Sequence, residues 1–419
     1  MSMGEDFLDR WVKAINSDDA CALNGRGFNE SITFEIGNVR YTLVVVDGKI
    51  NDVIVDGGPL VRSALTLSAP SDVWIKLLDP KPPALYNDFF ALIAIEDMRF
   101  DGDIKIIFQQ WFTFSNWVRA GREMQGPLVT ASDPQFFDEW QTVGKYTNVT
   151  VSGARHKVFY FEAGEGIPLI CQHTAGNENR QWRHLLEDRE LTKKYRVIAY
   201  DLPSHGKSDP SCDKDLYSED QLLRSDWVTE FVVNLIESLG IKEKPVFIGC
   251  SIGAVIGLHL AAKYPDNFKG IISLAGTTPT YGFFHDWWID PDINTQMNMP
   301  GLMDSVMAPD ISKVDRQINR TIQSSSPRVI RNDLHLWGVD NGGEHIATSI
   351  DGTKLPVYVY AGEYDFTCPP AHVEESVKKI KGAKYKTLQG LGHFPMSECY
   401  ERFRPTLLET LEEIESFKP

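Results

Sequence analysis

From about residue 145 onward, the sequence alternates short, nearly continuous apolar runs with longer amphipathic segments. The apolar runs are rich in β-branched residues, which is typical of strands buried on both faces of a sheet. Residues 218–240 instead repeat their apolar positions at helical spacing. Regular alternation of strands and helices favours a mostly parallel, doubly wound sheet. The predicted strands are HKVFYFEA, IPLICQH, RVIAYD, PVFIGC, GIISLAG, LPVYVYAG and KYKTLQ.

One interval interrupts this alternation. Residues 277–350 have a helical pattern and many aromatic side chains, and they lie where a lid would be inserted. We therefore predict an α/β domain over residues 145–419 with a helical lid at about 277–350.

Residues 1–140 follow a different pattern. The segment 31–58 alternates apolar and polar residues around Asp-Gly turn signals, which predicts an antiparallel hairpin or meander. The stretches ALTLSAPSDVWIKLLD and IEDMRFDGDIKIIFQQWFTFSNWV add strands and helices. We predict a small α+β domain at the start of the chain.

The charge and the apolar pattern narrow the possible partners. A formal net charge of −16 argues against nucleic acid and anionic membrane surfaces as partners. The first residues are acidic where a signal peptide would be basic, and no apolar run is long enough to span a bilayer. We predict a cytoplasmic protein without stable membrane insertion. The six cysteines are scattered, so we predict no metal site.

Residues 249–253 read Gly-Cys-Ser-Ile-Gly and fit the G-x-S-x-G nucleophile pattern. A buried strand precedes them and a helix follows, which is the setting that this motif requires. The middle position assigns the nucleophile to Ser251 and leaves Cys250 to packing at the strand end. Serine needs a base that is oriented by an acid.

The base and the acid are predicted downstream of Ser251. His393 stands in the glycine-flanked loop GLGHFPMSE, between the last predicted strand and the last helix. Asp365 follows the strongly apolar strand VYVYAG, and Glu363 is its local competitor. We favour Asp365, because a residue further into the turn reaches inward better.

A tetrahedral intermediate also needs hydrogen-bond donors aimed at its oxyanion. The N–H of Ile252 is predicted to be one donor, since it opens the helix after the nucleophile. The loop PLICQHTAGNENRQW is the expected source of the second, with Ala175 as the first choice and Thr174 as the next.

These motifs, together with YDLPSHGKS (200–208) and LGHFP (391–395), resemble those of the α/β-hydrolase family over residues 145–419. The resemblance implies an α/β-hydrolase fold and a Ser251–His393–Asp365 triad without a cofactor. The chain departs from the family at Thr174 and Ser204, where many members have glycine.

The N-terminal region resembles the sterol-carrier-protein-2-like fold in its TFEI…YTLVVVDGKI strands, its ALTLSAPSDVWIKLLD step and its late RFDGDIKIIFQQW segment. That resemblance implies a tunnel for a hydrophobic ligand. The alternative is a module with a filled core that mediates homo-oligomer formation or shields the substrate.

The expected reaction is hydrolysis of a carboxylic ester or lactone of a hydrophobic small molecule. The alternatives are a carbon–carbon bond hydrolase of vinylogous diketones and a non-catalytic lipid-binding protein. Arg180 and Arg183 lie beside the oxyanion loop and either bind a substrate carboxylate or form a solvated helix face. Five aromatic residues either line an apolar substrate pocket or pack the lid on the body: Phe283, Phe284, Trp287, Trp288 and Trp337.

Overall fold

The computed structural model describes residues 5–58, 60–133, 141–215, 218, 221–280, 290–323 and 329–418. The strands are β1 (Ser31–Ile36), β2 (Val39–Val46), β3 (Lys49–Val55), β4 (Leu65–Ala69), β5 (Arg99–Gly102), β6 (Val143–Val151), β7 (Ala154–Ala163), β8 (Ile167–Gln172), β9 (Tyr195–Tyr200), β10 (Val246–Cys250), β11 (Gly270–Leu274), β12 (Val357–Gly362) and β13 (Lys384–Leu388).

The helices of the described residues are α1 (Glu5–Ser17), α2 (Asp19–Asn24), α3 (Ser71–Leu77), α4 (Phe89–Ala94), α5 (Ile104–Gln109), α6 (Trp111–Gln125), α7 (Arg183–Glu187), α8 (Ser225–Ser238), α9 (Ile252–Lys263), α10 (Thr295–Ser305), α11 (Lys313–Gln323), α12 (Val329–Gly338), α13 (Gly343–Ser349), α14 (Pro370–Val377), α15 (Pro395–Glu398) and α16 (Tyr400–Ser416).

The chain divides into two compact units. The first consists of Met1–Ser132 and Ile289–Ile311, and the second of Asp133–Trp288 and Ser312–Pro419. The predicted lid interval at 277–350 therefore contributes residues to both units, and its helix α10 belongs to the first.

The first unit contains a five-stranded sheet with the strand order β3-β2-β1-β4-β5. β1 pairs antiparallel with β2, and β2 with β3, so the predicted meander over residues 31–58 is confirmed. β4 runs parallel to β1, and β5 closes the other edge antiparallel to β4.

Aromatic side chains fill the core of this first unit. Trp11 on α1 is fully buried and stacks on Phe34 of β1 with ring centroids 5.6 Å apart. Phe34 also contacts Trp74 at 5.0 Å, and Trp117 of α6 lies 6.3 Å away. Such a cluster is what a module with a filled core requires. The resemblance to the sterol-carrier-protein-2-like fold, with its tunnel, stays a prediction.

The second unit contains an eight-stranded sheet with the order β13-β12-β11-β10-β8-β9-β7-β6. The six strands from β8 to β13 pair in parallel, whereas β7 and β6 extend one edge in antiparallel pairing. The predicted α/β sheet and its helical insertion after β11 are confirmed. The prediction missed β6, because this edge strand is largely exposed and carries a polar sequence.

The carboxyl ends of the parallel strands carry the loops that contain the predicted site residues. β8 leads to the Ala175 loop, β10 to Ser251, β12 to Asp365 and β13 to His393. Parallel strands bring these loops to one edge of the sheet. Among the described helices, none combines the length and the apolar character that crossing a bilayer requires.

We predict that the core of the first unit depends on Trp11. Its indole N–H donates to the carbonyl of Trp117 at 2.7 Å, and its ring has no exposed surface. Trp11→Ala should lower the free energy of unfolding by about 3–5 kcal/mol, because it leaves a large cavity. Urea denaturation of the full chain measures the change. Leu60→Ala, at a side chain that is 92% exposed, is the control, and an equal effect of both variants would contradict the prediction.

Candidate active site

Ser251 occupies a strained turn between β10 and α9. Its φ of 57° and ψ of −116° lie in a region that residues other than glycine adopt rarely. The Ser251 N–H donates to the carbonyl of Leu274 on β11 at 2.9 Å, which anchors the turn to the sheet. The turn thus holds Ser251 at the carboxyl end of a buried strand and at the N-terminus of a helix.

Two glycines make this turn sterically possible. A Cβ on Gly249 would overlap the backbone of Gly253, so β10 and α9 approach closely only without side chains here. A Cβ on Gly253 would lie 2.8 Å from the carbonyl oxygen of Gln172, the last residue of β8. The start of α9 therefore packs directly against the strand that leads into the predicted oxyanion loop.

The structure brings Asp365 and His393 together. Asp365 Oδ2 lies 2.7 Å from His393 Nδ1. The other carboxylate oxygen of Asp365 accepts the N–H groups of Thr367 at 2.9 Å and Cys368 at 3.1 Å. Because the buried carboxylate accepts a hydrogen bond from Nδ1–H, the ring is held in the tautomer that leaves Nε2 unprotonated. His393 is therefore oriented to accept a proton at Nε2.

Glu363, the competing acid, has a different partner. Its Oε2 accepts the N–H of Gly390 at 2.7 Å, in the loop that leads to His393. Glu363 therefore supports the backbone of that loop, while Asp365 contacts the imidazole ring.

Cys250 links the strand end to the histidine loop. Its Sγ donates to the carbonyl oxygen of His393 at 3.1 Å, and the side chain is fully buried. Burial raises the pKa of the Cys250 thiol well above its ordinary value. A protonated, buried thiol is a poor nucleophile. The same hydrogen bond brings the backbone of His393 to the residue that precedes Ser251.

The predicted oxyanion donors are the N–H groups of Ala175 and Ile252. Within the part of the chain that the structure describes, neither N–H donates a hydrogen bond. Thr174, the second choice, donates its N–H to the side-chain oxygen of Gln181 at 2.9 Å. In this loop Ala175 therefore retains a free donor that Thr174 lacks.

Comparison with known proteins agrees with this architecture. The family profile described as the alpha/beta hydrolase fold matches residues 167–320. An enol-lactonase structure from Burkholderia xenovorans superposes with a TM-score of 0.54 at 19% identity, over 64% of this chain and 100% of that chain. An esterase structure from Thermogutta terrifontis gives a TM-score of 0.51 at 18% identity, over 64% and 99%.

The second unit has the α/β-hydrolase fold.

Sequence relatives match this chain at low identity. A strigolactone esterase of Arabidopsis thaliana is 24% identical over 54% of this chain and 85% of that protein. A 2-hydroxy-6-oxononadienedioate/2-hydroxy-6-oxononatrienedioate hydrolase of Paraburkholderia phymatum is 25% identical over 64% and 95%. Polyketide synthase ThaQ of Burkholderia thailandensis is 24% identical over 62% of this chain. The aligned region makes up only 12% of the length of that protein.

Trp337 is the one predicted pocket residue that lies in the described part of the hydrolase unit. It is buried on α12, and its ring centroid is 6.4 Å from that of His393. A Cβ on Gly276, just after β11, would lie 3.3 Å from the Trp337 ring. Trp337 thus lies beside the histidine. The other four predicted pocket residues lie outside the described residues: Phe283, Phe284, Trp287 and Trp288.

The two arginines beside the oxyanion loop are each paired with an acid. Arg180 contacts Glu178, and Arg183 contacts Asp315 of α11. A substrate carboxylate would have to compete with these acids for either charge. The pairs therefore weigh against a substrate anion at this position.

Sequence reasoning missed Asp333, which contacts the oxyanion loop from α12. Its Oδ2 accepts the Gly176 N–H at 2.7 Å and lies 2.8 Å from Nε2 of His205. His205 belongs to the YDLPSHGKS motif and could have been found there. No local pattern marks Asp333, because its partners lie more than a hundred residues earlier in the chain.

A group of three possible metal ligands lies elsewhere in the hydrolase unit. Ligand atoms of His156, Cys212 and Asp213 lie within 4.8 Å of one another. These nitrogen, sulfur and oxygen donors suit an ion such as Zn²⁺. None of them belongs to the loops that carry Ser251, Asp365 and His393.

We predict that Asp365→Asn lowers kcat by about 10³–10⁴-fold with little change in KM, because an amide favours the wrong imidazole tautomer. Steady-state hydrolysis of a p-nitrophenyl ester measures both constants. Glu363→Gln is the matched control, since it alters an acid two residues away that binds backbone of the His393 loop instead of the imidazole ring. Equal losses in the two variants would contradict the assignment of Asp365.

Proposed function

We propose that the protein is a serine hydrolase that cleaves a carboxylic ester or lactone of a hydrophobic small molecule through an acyl-enzyme intermediate. The observation that carries the proposal is the 2.7 Å contact between Asp365 and His393. Cys250, which directly precedes Ser251, donates to the His393 carbonyl and so holds the histidine loop beside the Ser251 turn. An oriented imidazole next to a serine on a strained turn is the arrangement that activates a serine hydroxyl.

In the proposed reaction, Oγ of Ser251 attacks the substrate carbonyl carbon while Nε2 of His393 accepts the hydroxyl proton. Asp365 keeps the ring oriented and stabilises the imidazolium that forms. Collapse of the tetrahedral intermediate breaks the carbon–oxygen bond, and His393 returns the proton to the leaving alkoxide. A water molecule, deprotonated by His393, then attacks the acyl-enzyme. The bond between the acyl carbon and Ser251 Oγ breaks, His393 returns the proton to Oγ, and the acid is released.

The oxyanion of each tetrahedral intermediate would be held by the N–H groups of Ile252 and Ala175. Both donors are free of other hydrogen bonds in the described residues, and Ile252 also begins α9, whose dipole favours negative charge there. Removing one such donor typically raises the barrier by about 2.7–4 kcal/mol.

The preference for ester or lactone substrates rests on two observations. Trp337 places an apolar ring beside His393, and the two arginines beside the oxyanion loop are each paired with an acid. Similarity to an esterase and an enol-lactonase agrees with this substrate class.

A carbon–carbon bond hydrolase is the second candidate. It is favoured by the Paraburkholderia phymatum relative, whose sequence aligns over 95% of its length. The same three residues would serve that reaction on a vinylogous diketone. Turnover of a ring-cleavage diketone without turnover of esters or lactones would select this candidate.

A non-catalytic lipid-binding protein on a hydrolase scaffold is the third alternative. It predicts that lipid co-purifies with the protein and that a fluorophosphonate does not label it. Covalent labelling of Ser251 by a fluorophosphonate would exclude it.

We predict that Ser251→Ala abolishes both p-nitrophenyl ester turnover and fluorophosphonate labelling, because it removes the nucleophile. Cys250→Ala is the matched neighbour and should keep the label and most of the turnover, since the buried, protonated thiol is not the nucleophile and only its hydrogen bond to the His393 carbonyl is lost. Mass spectrometry of the labelled protein locates the adduct. Labelling that survives in Ser251→Ala but not in Cys250→Ala would overturn the assignment.

A further inference from the structure

A buried carboxylate of the lid connects α12 to the oxyanion loop. The Asp333 side chain is only 4% exposed, and its Oδ2 accepts the Gly176 N–H at 2.7 Å. The same oxygen lies 2.8 Å from Nε2 of His205, whose side chain is 3% exposed. α12 also packs on Gly176 through Ile330, which a Cβ on that glycine would meet at 2.9 Å.

The hydrogen bonds of His205 define its protonation state. Its Nδ1 lies 3.0 Å from the carbonyl oxygen of Pro203, which can only accept, and its Nε2 faces the Asp333 carboxylate. Both ring nitrogens therefore donate, and the ring is an imidazolium. Asp333 and His205 thus form a buried ion pair.

Two further titratable groups face His205. His173, after β8, lies with its ring centroid 4.8 Å away, and Asp201 follows β9. Burial and the charge of His205 hold the pKa of His173 well below its usual range. Burial raises the pKa of Asp201 to about 7. Burial alone would lower the pKa of His205, but the charge and hydrogen bond of Asp333 outweigh it and raise that pKa.

Neutral His173 forms a second link to the oxyanion loop. Its Nε2 accepts the Leu202 N–H at 3.1 Å, so its Nδ1 carries the proton and donates to the Thr174 carbonyl at 2.8 Å. That carbonyl and the Ala175 N–H belong to one planar peptide group. The next peptide group contains the Gly176 N–H that Asp333 holds. Both peptide planes that flank Ala175 are therefore anchored.

We propose that Asp333, paired with His205, is a positioning residue: it fixes the Ala175–Gly176 peptide plane and so restrains Ala175, whose N–H in the preceding peptide plane stays aimed at the oxyanion. This role rests on the proposed serine hydrolase function. Docking of α12 then completes the oxyanion hole, because the helix that places Trp337 beside His393 also supplies Asp333. If the Ala175–Gly176 plane is free to rotate, Ala175 is anchored only from the His173 side, and its N–H can turn away from the oxyanion.

The test compares Asp333→Asn with wild type and with Asp340→Asn. Asp340 is a matched control, because it follows the same helix and also accepts a backbone N–H, that of Ser225 at 2.7 Å, away from the oxyanion loop. Asp333→Asn should lower kcat for p-nitrophenyl acetate by about 10–100-fold, part of the loss expected when one oxyanion donor is removed, and leave KM nearly unchanged. Asp340→Asn should match wild type.

The pH profile provides a readout that a purely structural role would not change. The ion pair exists while His205 is protonated, so it is complete below the usual histidine pKa of about 6.5 and is lost as pH rises through the raised pKa of the folded protein. Wild-type kcat should therefore fall at high pH toward the value of Asp333→Asn. The variant should lack that alkaline decrease.

Hydrogen–deuterium exchange tests the anchor without turnover. Peptides covering residues 173–178 should exchange faster in Asp333→Asn than in wild type or Asp340→Asn. If Asp333→Asn has the kcat and the exchange rates of the wild-type enzyme, and the wild-type enzyme is active, the positioning role alone is overturned. A wild-type protein that no fluorophosphonate labels would instead overturn the proposed function and the catalytic part of this inference with it.

Discussion

The close approach of two backbones at Gly249 and Gly253 is the constraint on which the rest of the site depends. Strand β10 enters the turn fully buried, and α9 leaves it packed against the end of β8. A side chain on either glycine would push these elements apart. Only with both absent can Ser251 adopt its positive φ beside the Ala175 loop and below the His393 loop. The surrounding buried sheet keeps Ser251 in this strained conformation, because its contacts fix the turn from several sides.

The neighbouring loops are held by buried polar contacts of one kind. In each case a side chain binds the backbone of a functional loop. Glu363 binds Gly390, Cys250 binds His393 and Asp333 binds Gly176 from distant segments, whereas Gln181 binds Thr174 from seven residues further along the chain. Buried backbone groups need partners, so these contacts stabilise the loops and orient them at the same time. They fix the loop backbone at several points around the site, whose main residues lie on loops.

Much of the fold could be predicted because buried strands have a recognisable apolar sequence pattern. The sequence predicts all strands from β7 to β13, and it predicts β8 to β12 because strands covered on both faces must be nearly continuous in apolar residues. The prediction missed β6 because this strand is largely exposed and its polar sequence lacks the apolar pattern. The assignment of α10 to the first unit was not foreseen either, because its sequence neighbours belong to the insertion after β11 and only long-range packing decides where it lies.

By itself, the sequence determined the order of the elements, the G-x-S-x-G turn and the short list of residues from which a triad could be drawn. These depend on local patterns, namely glycine spacing, apolar runs and loop position. Only the tertiary structure decided which acid contacts His393, which N–H of the oxyanion loop is free, and that Asp333 reaches this loop from α12. The reason is geometric: the contacts of Asp365 with His393 and of Asp333 with Gly176 join residues 28 and 157 positions apart, and their distances follow from the packing of the whole sheet and its helices.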